Sequence, residues 1–333
     1  MTPRPRAAII GAGYAGLGLA RLLQERARLV VTTGSTTRNR ALRDAGLDAR
    51  RWNLDNRDPA PLDPVEITGA VLHYHVPPAP NSTGDVRIAR ALATLPGPPQ
   101  RIVYLSTTGV YGDVGGARVD EDTPPAPQLA RDRRRLAAES SLRAWCQTRG
   151  VEWTILRVPG IYGPGRLPIE RLRRGDPVLL ESEAGPGNRI HVDDLVTACV
   201  LAGEHPAAAN RIFNVGDGNG ASSTQYLTRL AALLGLPAPQ QLPRTEVQRR
   251  VSAEAWSFLG SSRRVDTSRI CRELGLVPRY ASLDDGLRAS LMEESGDRPW
   301  VLSGRELEHG CGDDRTRRRF DREAAAIQPR QRD

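Results

Sequence analysis

Apolar residues fall into short runs at 7–10, 29–33, 70–75, 102–106 and 151–156. Runs of that length predict strands. Between most of them, apolar positions recur at helical spacing over 17–25, 38–45, 86–95 and 129–149. A further short strand is predicted near 49–54. This alternation predicts an α/β protein with a doubly wound parallel sheet and ligands beyond the carboxyl ends of its strands.

The second half is less regular. A Gly/Pro-rich turn over 159–165 ends the sixth strand, and a short basic helix follows over 167–174. His191-Val192-Asp193-Asp194 precedes an apolar helix, with an Asp placed to cap it. A strand is expected at 211–215 and a helix at 222–234, with Leu227, Leu230, Leu233 and Leu234 on its buried face. Final helices are expected at 267–274 and 283–292. From residue 293 no period is sustained, so a partly disordered, Arg-rich tail is expected over 293–333. Its last stretch, 311–333, holds seven arginines against five acids, too even a balance for a polyanion-binding arm.

The first apolar run feeds Gly11-Ala12-Gly13-Tyr14-Ala15-Gly16, a G-x-G-x-x-G turn opening a helix. Gly11 permits the turn, Gly13 admits a pyrophosphate close to the backbone, and Gly16 lets the helix pack on the strand. The strand before it and the helix after it make this a Rossmann dinucleotide-binding signature rather than an isolated glycine cluster. Residues 1–165 and 190–216 are then expected to form the Rossmann domain. Residues 166–189 and 217–292 would form a smaller, mixed substrate domain.

Composition narrows the class. A hydrophobic content of 39% with 26% charged residues describes a soluble globular chain, and no apolar run approaches the ~20 residues of a membrane helix. The opening residues predict a first strand, not a signal peptide. Cys146, Cys199, Cys271 and Cys311 are scattered without a C-x-x-C, which predicts reduced thiols and a cytoplasmic setting. Net charge is +8, but aromatics are only 5% and no nucleic-acid motif is present, so nucleic acid is not an expected partner. Every one of the 47 basic Lys/Arg positions is arginine; the chain has no lysine.

That fact and the end of the second strand bear on the cofactor. NAD-type units usually carry an acid about 20 residues past the glycines, for the ribose 2′-OH. Here the region reads Thr32-Thr33-Gly34-Ser35-Thr36-Thr37-Arg38, with no acid. Hydroxyls such as Thr37 and the fork of Arg38 suit a 2′-phosphate, with Arg40 a second candidate, so NADP is expected ahead of NAD. A solvated Arg38 opening the next helix is the alternative. Asp55 either contacts the adenine end or serves as a turn residue.

Taken together, the motifs resemble the short-chain dehydrogenase/reductase superfamily, in the extended group that holds nucleotide-sugar epimerases and dehydratases. The carrying runs are Ser106-Thr107-Thr108-Gly109-Val110-Tyr111-Gly112, Asp120-Glu121-Asp122-Thr123-Pro124, Arg157-Val158-Pro159-Gly160-Ile161-Tyr162-Gly163, 188–195 and 213–216. They occur in the family's order over residues 6 to 292. The resemblance implies a Rossmann half, a smaller substrate half, and hydride transfer between a nicotinamide and a small-molecule substrate such as a nucleotide sugar. It also implies cofactor contacts at Tyr14, Ala15, Ser106, Arg135 and Pro159. The family often dimerises through helices of its Rossmann half, which leaves a homodimer open.

The departures are chemical. The family uses a Tyr-x-x-x-Lys pair, and the glutamate that usually follows it falls on Glu139, which puts Arg131 and Arg135 at the two positions. Arginine does not lose its proton, so Arg131 cannot be the acid/base, and a chain without lysine cannot restore the pair by any shift. Ile10 also stands where extended members carry a first glycine.

Thr107 matches the Ser/Thr that bonds the reacting oxygen; a strand-end threonine is its plain alternative. Tyr111 and Tyr162 are candidate substitute proton donors near the cofactor and Arg135, against a packing role with each phenol bonded to backbone. His73 and His75 share a face at the end of the fourth strand. With no third ligand, His75 is expected to touch the cofactor or loop backbone and no metal is expected. His191 reads as structural. Arg166, Arg171, Arg173 and Arg174 could attract an anionic substrate or form a solvated face. Two readings follow: an NAD(P)-dependent oxidoreductase or epimerase-like enzyme with an altered catalytic pair, or an NADP(H)-binding regulator or scaffold without turnover.

Overall fold

The computed structural model describes residues 4–59 and 61–295. In chain order its elements are β1 (Arg6–Ile10), α1 (Tyr14–Leu23), β2 (Arg28–Thr33), α2 (Thr36–Asp44), β3 (Ala49–Arg51), α3 (Pro64–Ile67), β4 (Val71–Tyr74), α4 (Val86–Thr94) and β5 (Arg101–Thr107). Then come β6 (Arg118–Val119), α5 (Ala130–Arg149), β7 (Glu152–Val158), β8 (Gly160–Tyr162), α6 (Ile169–Arg173), β9 (Val178–Leu179), β10 (Arg189–His191) and α7 (Val192–Glu204). The last are β11 (Arg211–Asn214), α8 (Ser223–Leu233), β12 (Gln241–Leu242), α9 (Arg244–Arg250), α10 (Ala253–Leu259), β13 (Arg264–Val265), α11 (Ser268–Leu274) and α12 (Leu283–Ser295).

Seven strands form one sheet in the order β3-β2-β1-β4-β5-β7-β11, all parallel. The order reverses between β1 and β4, the switch point at which doubly wound folds bind ligands. Side chains alternate across the sheet as a pleat demands. Ile9, Val103 and Leu105 enter a core with α1, α7 and α11, whereas Ile10, Ile102 and Tyr104 enter the opposite core with α4 and α5. Both faces are therefore covered, which is why the strand sequences are near-continuously apolar.

The expected boundaries move where a local signal was absent. α1 begins at Tyr14, not residue 17, because Gly13 serves as an N-cap with no side-chain hydrogen bond. β7 runs to Val158 and takes in Arg157, a buried charge that mimics a strand end in the sequence. The cap of α7 is corrected: His191, not an Asp, is the N-cap, and its Nδ1 accepts from Asp193 N–H at 3.2 Å. Asp194 instead accepts from the backbone of Arg279 and Tyr280, tying α7 to the segment before α12.

The expected substrate segments divide. α8 and α12 pack with Tyr162 and Val178 in a separate cluster, whereas α11 returns to the sheet and buries Ile270 and Leu274 beside α7. Three two-stranded ribbons, β6/β13, β8/β10 and β9/β12, stitch these excursions together. Cys146, Cys199 and Cys271 are unpaired. The tail beyond Ser295, with Cys311, lies outside the described residues. No described helix is long and apolar enough to cross a membrane.

Candidate active site

The glycine turn is held by backbone geometry. Gly11 has φ +93°, and a Cβ there would stand 2.8 Å from Val76 Cγ2. Gly11 N and Ala12 N both donate to Thr32 O, at 3.1 and 2.8 Å, which bolts the turn to β2. A Cβ on Gly16 would meet the Gly11 carbonyl oxygen at 2.6 Å, so only glycine lets α1 lie this close. Above Gly13 the space is open, with Arg38 Nη1 at 4.0 Å the one neighbour of a hypothetical Cβ. Gly13, the N-cap of α1, lines a cavity together with Gly11 and Ala12, while its own N–H donates to Gly11 O at 2.8 Å.

That cavity measures about 330 Å³ and is lined by the turn, Gly34, Ser35, Arg38, Asp55, His75 and Arg87. Ser35 caps α2 by accepting from Arg38 N–H at 3.2 Å. Arg38 then reaches back, its Nη1 donating to Ala12 O at 3.4 Å. Burial lowers its pKa, yet a guanidinium stays charged. Asp55 holds Arg87 through a two-pronged pair at 2.6 and 2.8 Å, and that hydrogen bonding pulls its carboxyl below the usual range. Both ring nitrogens of His75 are buried and unpartnered among the described residues. Desolvation, then His73 and Arg135, pushes His75 down to about 3, so the ring is neutral. The exposed Thr37 and Arg40 do not line the cavity, and Tyr14 turns away to donate to Pro164 O at 2.9 Å. Ala15 and Gly16 are buried in α1.

A larger groove of about 490 Å³ opens at the carboxyl ends of β5 and β7. Thr107, Thr108, Gly109 and Pro159 form its floor, Arg131 and Asp132 of α5 one wall, and the 185–189 and 256–263 segments the others. Thr107 Oγ1 accepts from Gly109 N–H at 3.1 Å, leaving its own O–H as a donor. Arg131 donates to Ser257 Oγ at 2.8 Å, and Arg263 Nε to Gly112 O at 2.7 Å. Asn188 fastens the far wall, donating to Arg263 O and accepting from Val265 N–H, both at 2.9 Å. Asp132, Arg189, Arg263 and the 256–261 lip were invisible in the sequence reading. They approach β5 only through long-range folding, and the adjacency of Asp132 to Arg131 was their one local signal.

Several expected site residues face elsewhere. Tyr111 is 1% exposed; its hydroxyl donates to Asn214 Oδ1 at 2.8 Å and accepts from Arg157 Nη1 at 3.0 Å. Ser106 donates to Glu139, which also binds Arg157 through Nε and Nη2 at 3.2 and 2.8 Å. These groups form a buried polar strut joining β5, α5, β7 and β11, not a groove wall. Tyr162 is buried against His191, Tyr226 and α12, and burial raises its pKa. Arg135 donates to Tyr104 Oη at 3.2 Å and Leu105 O at 2.9 Å and lines neither cavity. The basic helix is also removed from the groove. Arg173 pairs with Glu170, Arg174 with Asp176, Arg171 donates to Pro177 O, and Arg166 lies over the Tyr14 ring. His73 is buried beside Gly203, and no group of metal-binding side chains occurs among the described residues.

A glycine-turn cavity and a strand-end groove on one parallel sheet define a Rossmann-fold protein. Residues 7–216 match the NAD dependent epimerase/dehydratase family, and the chain belongs to it. Protein YeeZ of Escherichia coli K12 is 30% identical over 286 residues, covering 83% of this chain and 96% of that protein. A functionally unknown conserved protein from Silicibacter pomeroyi superposes with a TM-score of 0.73 at 28% identity, over 88% of this chain and 100% of its own. UDP-glucuronic acid 4-epimerase from Bacillus cereus, solved in complex with NAD, gives 0.68 at 18% identity, over 89% of this chain and 100% of its own. That last likeness establishes a shared fold.

Proposed function

We propose that this chain is an NADP(H)-dependent oxidoreductase of the epimerase/dehydratase type, acting on a small anionic substrate. The observation that carries the reading is the cation pair Arg38 and Arg87 in the glycine-turn cavity, with its one acid, Asp55, engaged by Arg87. A 2′-phosphate suits Arg38 and Ser35, whereas no acid is placed at the end of β2 for a 2′-OH. The cradle fits a dinucleotide on two further counts. Gly13 leaves space for a pyrophosphate, and His75 lines the same cavity with its neutral ring packed against Gly16 of the turn.

When bound, the nicotinamide supplies or accepts hydride. The chain's own residues then position and polarise the substrate. Thr107 donates its O–H to the reacting oxygen, and the 256–261 lip limits water in the groove. Arg131, Arg189 and Arg263 supply positive charge at the groove, and Arg166, Arg171, Arg173 and Arg174 take the other of their two expected roles, a surface away from it. A nucleotide sugar is one substrate class of this description, in keeping with the Bacillus cereus relative. In this reading residues 1–165 and 190–216 hold the cofactor, while 166–189 and much of 217–292 hold the substrate. The unpaired thiols are in keeping with the cytoplasm, and the family habit with a homodimer.

The test is titration with NADPH and NADH, followed by nicotinamide fluorescence and melting temperature. NADPH is expected to bind about 10-fold or more tighter than NADH, with Arg38→Ala erasing the difference, since a charge-assisted pair contributes roughly 1.5–3 kcal/mol. Failure of both nucleotides to bind overturns the reading. A second reading, a cofactor-binding regulator without turnover, is favoured by Arg131 and Arg135 standing at the catalytic pair. Tight NADPH binding with no reaction across aldehydes, ketones and sugar nucleotides would establish it.

A further inference from the structure

Asp132 lies in the first turn of α5, directly after the arginine that replaces the family's tyrosine. Its side chain is 11% exposed and lines the groove beside Thr107 and Thr108. The carboxylate rests on the backbone of Gly109, where a Cβ would stand 2.6 Å from Asp132 Cγ. No φ constraint explains glycine there; the space it leaves is filled by this carboxylate. Among the described residues no donor hydrogen-bonds it, and its one ion-pair contact, Arg131 Nε, is 3.9 Å away. Buried carboxylates are ordinarily hydrogen-bonded or paired. One that lines the same groove as the strand-end threonine, without a donor from the described residues, is placed to exchange a proton with whatever occupies the groove.

We infer that Asp132 is the catalytic acid/base of this protein, taking the place of the missing tyrosine. The inference rests on the hydride-transfer reading above. In the reducing direction the carboxyl O–H bond breaks as an O–H bond forms on the substrate oxygen. The carbonyl carbon gains hydride and is reduced, NADPH is the reductant, and the carboxylate regains a proton from water entering the groove. A phenol needs a neighbouring lysine to bring its pKa down toward neutrality. A carboxyl starts below neutrality and needs burial to bring it up, so a chain without lysine can still tune it. Burial does raise the Asp132 pKa, against Arg131, Arg133 and Arg135 of its own helix and Arg263 from the facing segment. Asp113 also faces Arg263.

The experiment is a pH titration of ¹³C-aspartate-labelled full-length protein with NADPH and again with NADP⁺, comparing wild type with Asp132→Asn. One carboxyl signal should titrate above the ordinary aspartate range, shift to lower pH with the cationic oxidised nicotinamide, and vanish in Asp132→Asn. With 4-carboxybenzaldehyde and 4-nitrobenzaldehyde as probes, reduction should fall about 100-fold or more in Asp132→Asn and recover in part in Asp132→Glu, with NADPH affinity unchanged. Melting temperature should hold or rise in Asp132→Asn, which separates lost chemistry from lost folding. An Asp132 midpoint in the ordinary range, or one indifferent to the nicotinamide's oxidation state, overturns the inference, as does wild-type turnover by Asp132→Asn. Failure of the wild type to bind either nucleotide overturns instead the reading on which it rests.

Discussion

The glycine-turn cavity and the strand-end groove share one sheet edge but are built by different means. The first is centred on one continuous stretch, β1 to α2, whose backbone makes the turn, and is closed by residues 52–55, 75–77 and Arg87. Its acid, Asp55, is paired with Arg87, and its cation Arg38 spans a few ångströms back to Ala12. The second is assembled from β5, α5, β7, the 185–189 loop and the 256–263 lip, far apart in sequence. Around it the carboxylate of Asp132 has no hydrogen-bond donor among the described residues, and Asp217, beside Arg189 in a neighbouring cavity of about 280 Å³, has no ion pair among them. Local construction gives a site with few degrees of freedom. Long-range construction allows buried carboxylates with cations near but not in direct contact, because distant elements supply the stability that such charge removes.

The largest break should come at the turn. Gly16→Val places a branched side chain where a Cβ already meets a backbone oxygen at 2.6 Å, so NADPH binding should fall at least about 100-fold. Fluorescence titration checks it, and a groove that still binds an anionic probe would sharpen the separation of the two sites. Glu139→Gln attacks the strut beneath the groove by leaving Arg157, itself 3% exposed, without its carboxylate. Loss of one partner of a buried pair should reduce unfolding stability by about 3–5 kcal/mol, measured by urea denaturation.

Asp217 gives a pH-dependent effect of intermediate size. Burial raises its carboxyl to about 6, above the 3.8 of an ordinary aspartate. The folded state therefore binds this proton more tightly than the unfolded chain. The stability it contributes is complete below pH ~4 and is lost as pH rises through about 6. Asp217→Asn should match wild type at pH 4 and exceed it by about 1–3 kcal/mol at pH 8, read from denaturation at both pH values. The smallest effect belongs to Arg173→Ala. Its exposed pair with Glu170 lies away from both cavities, so stability and cofactor affinity should stay within about 0.5 kcal/mol. A large loss of affinity there would return the basic helix to the substrate site.

Much of the fold was legible because each central strand carries its burial in its own residues. The period-2 division of Ile9 and Ile10, or of Val103 and Tyr104, between two cores follows from the pleat alone. Arg38 was legible for the same local reason, since a β-strand, a Gly-Ser turn and a helix start fix where it points. Tyr111 and Ser106 were not. Their motif suggests a cofactor contact for Ser106 and a proton donor in Tyr111, but Arg157, Glu139 and Asn214 converge on them from other elements and draw their hydroxyls into the interior. His191 took the cap expected of an Asp because the ribbon β8/β10 sets its backbone first. The short helices α9 and α10 gave no periodic signal, yet the segment from α10 to β13 forms the lip of the groove.

The sequence by itself determined the parallel sheet, the glycine turn, the absence of an acid at the end of β2, and the absence of any Tyr-x-x-x-Lys pair. Each is a property of contiguous residues, set by periodicity, by glycine sterics or by the pKa of a side chain. Only the tertiary structure decided which hydroxyls reach the groove, that the arginines of the basic helix are engaged away from it, and that Asp132 fills the space left by Gly109 in the groove that Thr107 also lines. Those outcomes depend on where separate elements bring their side chains. Burial and hydrogen-bond competition, which settle them, are properties of the packed neighbourhood and not of any single stretch of chain.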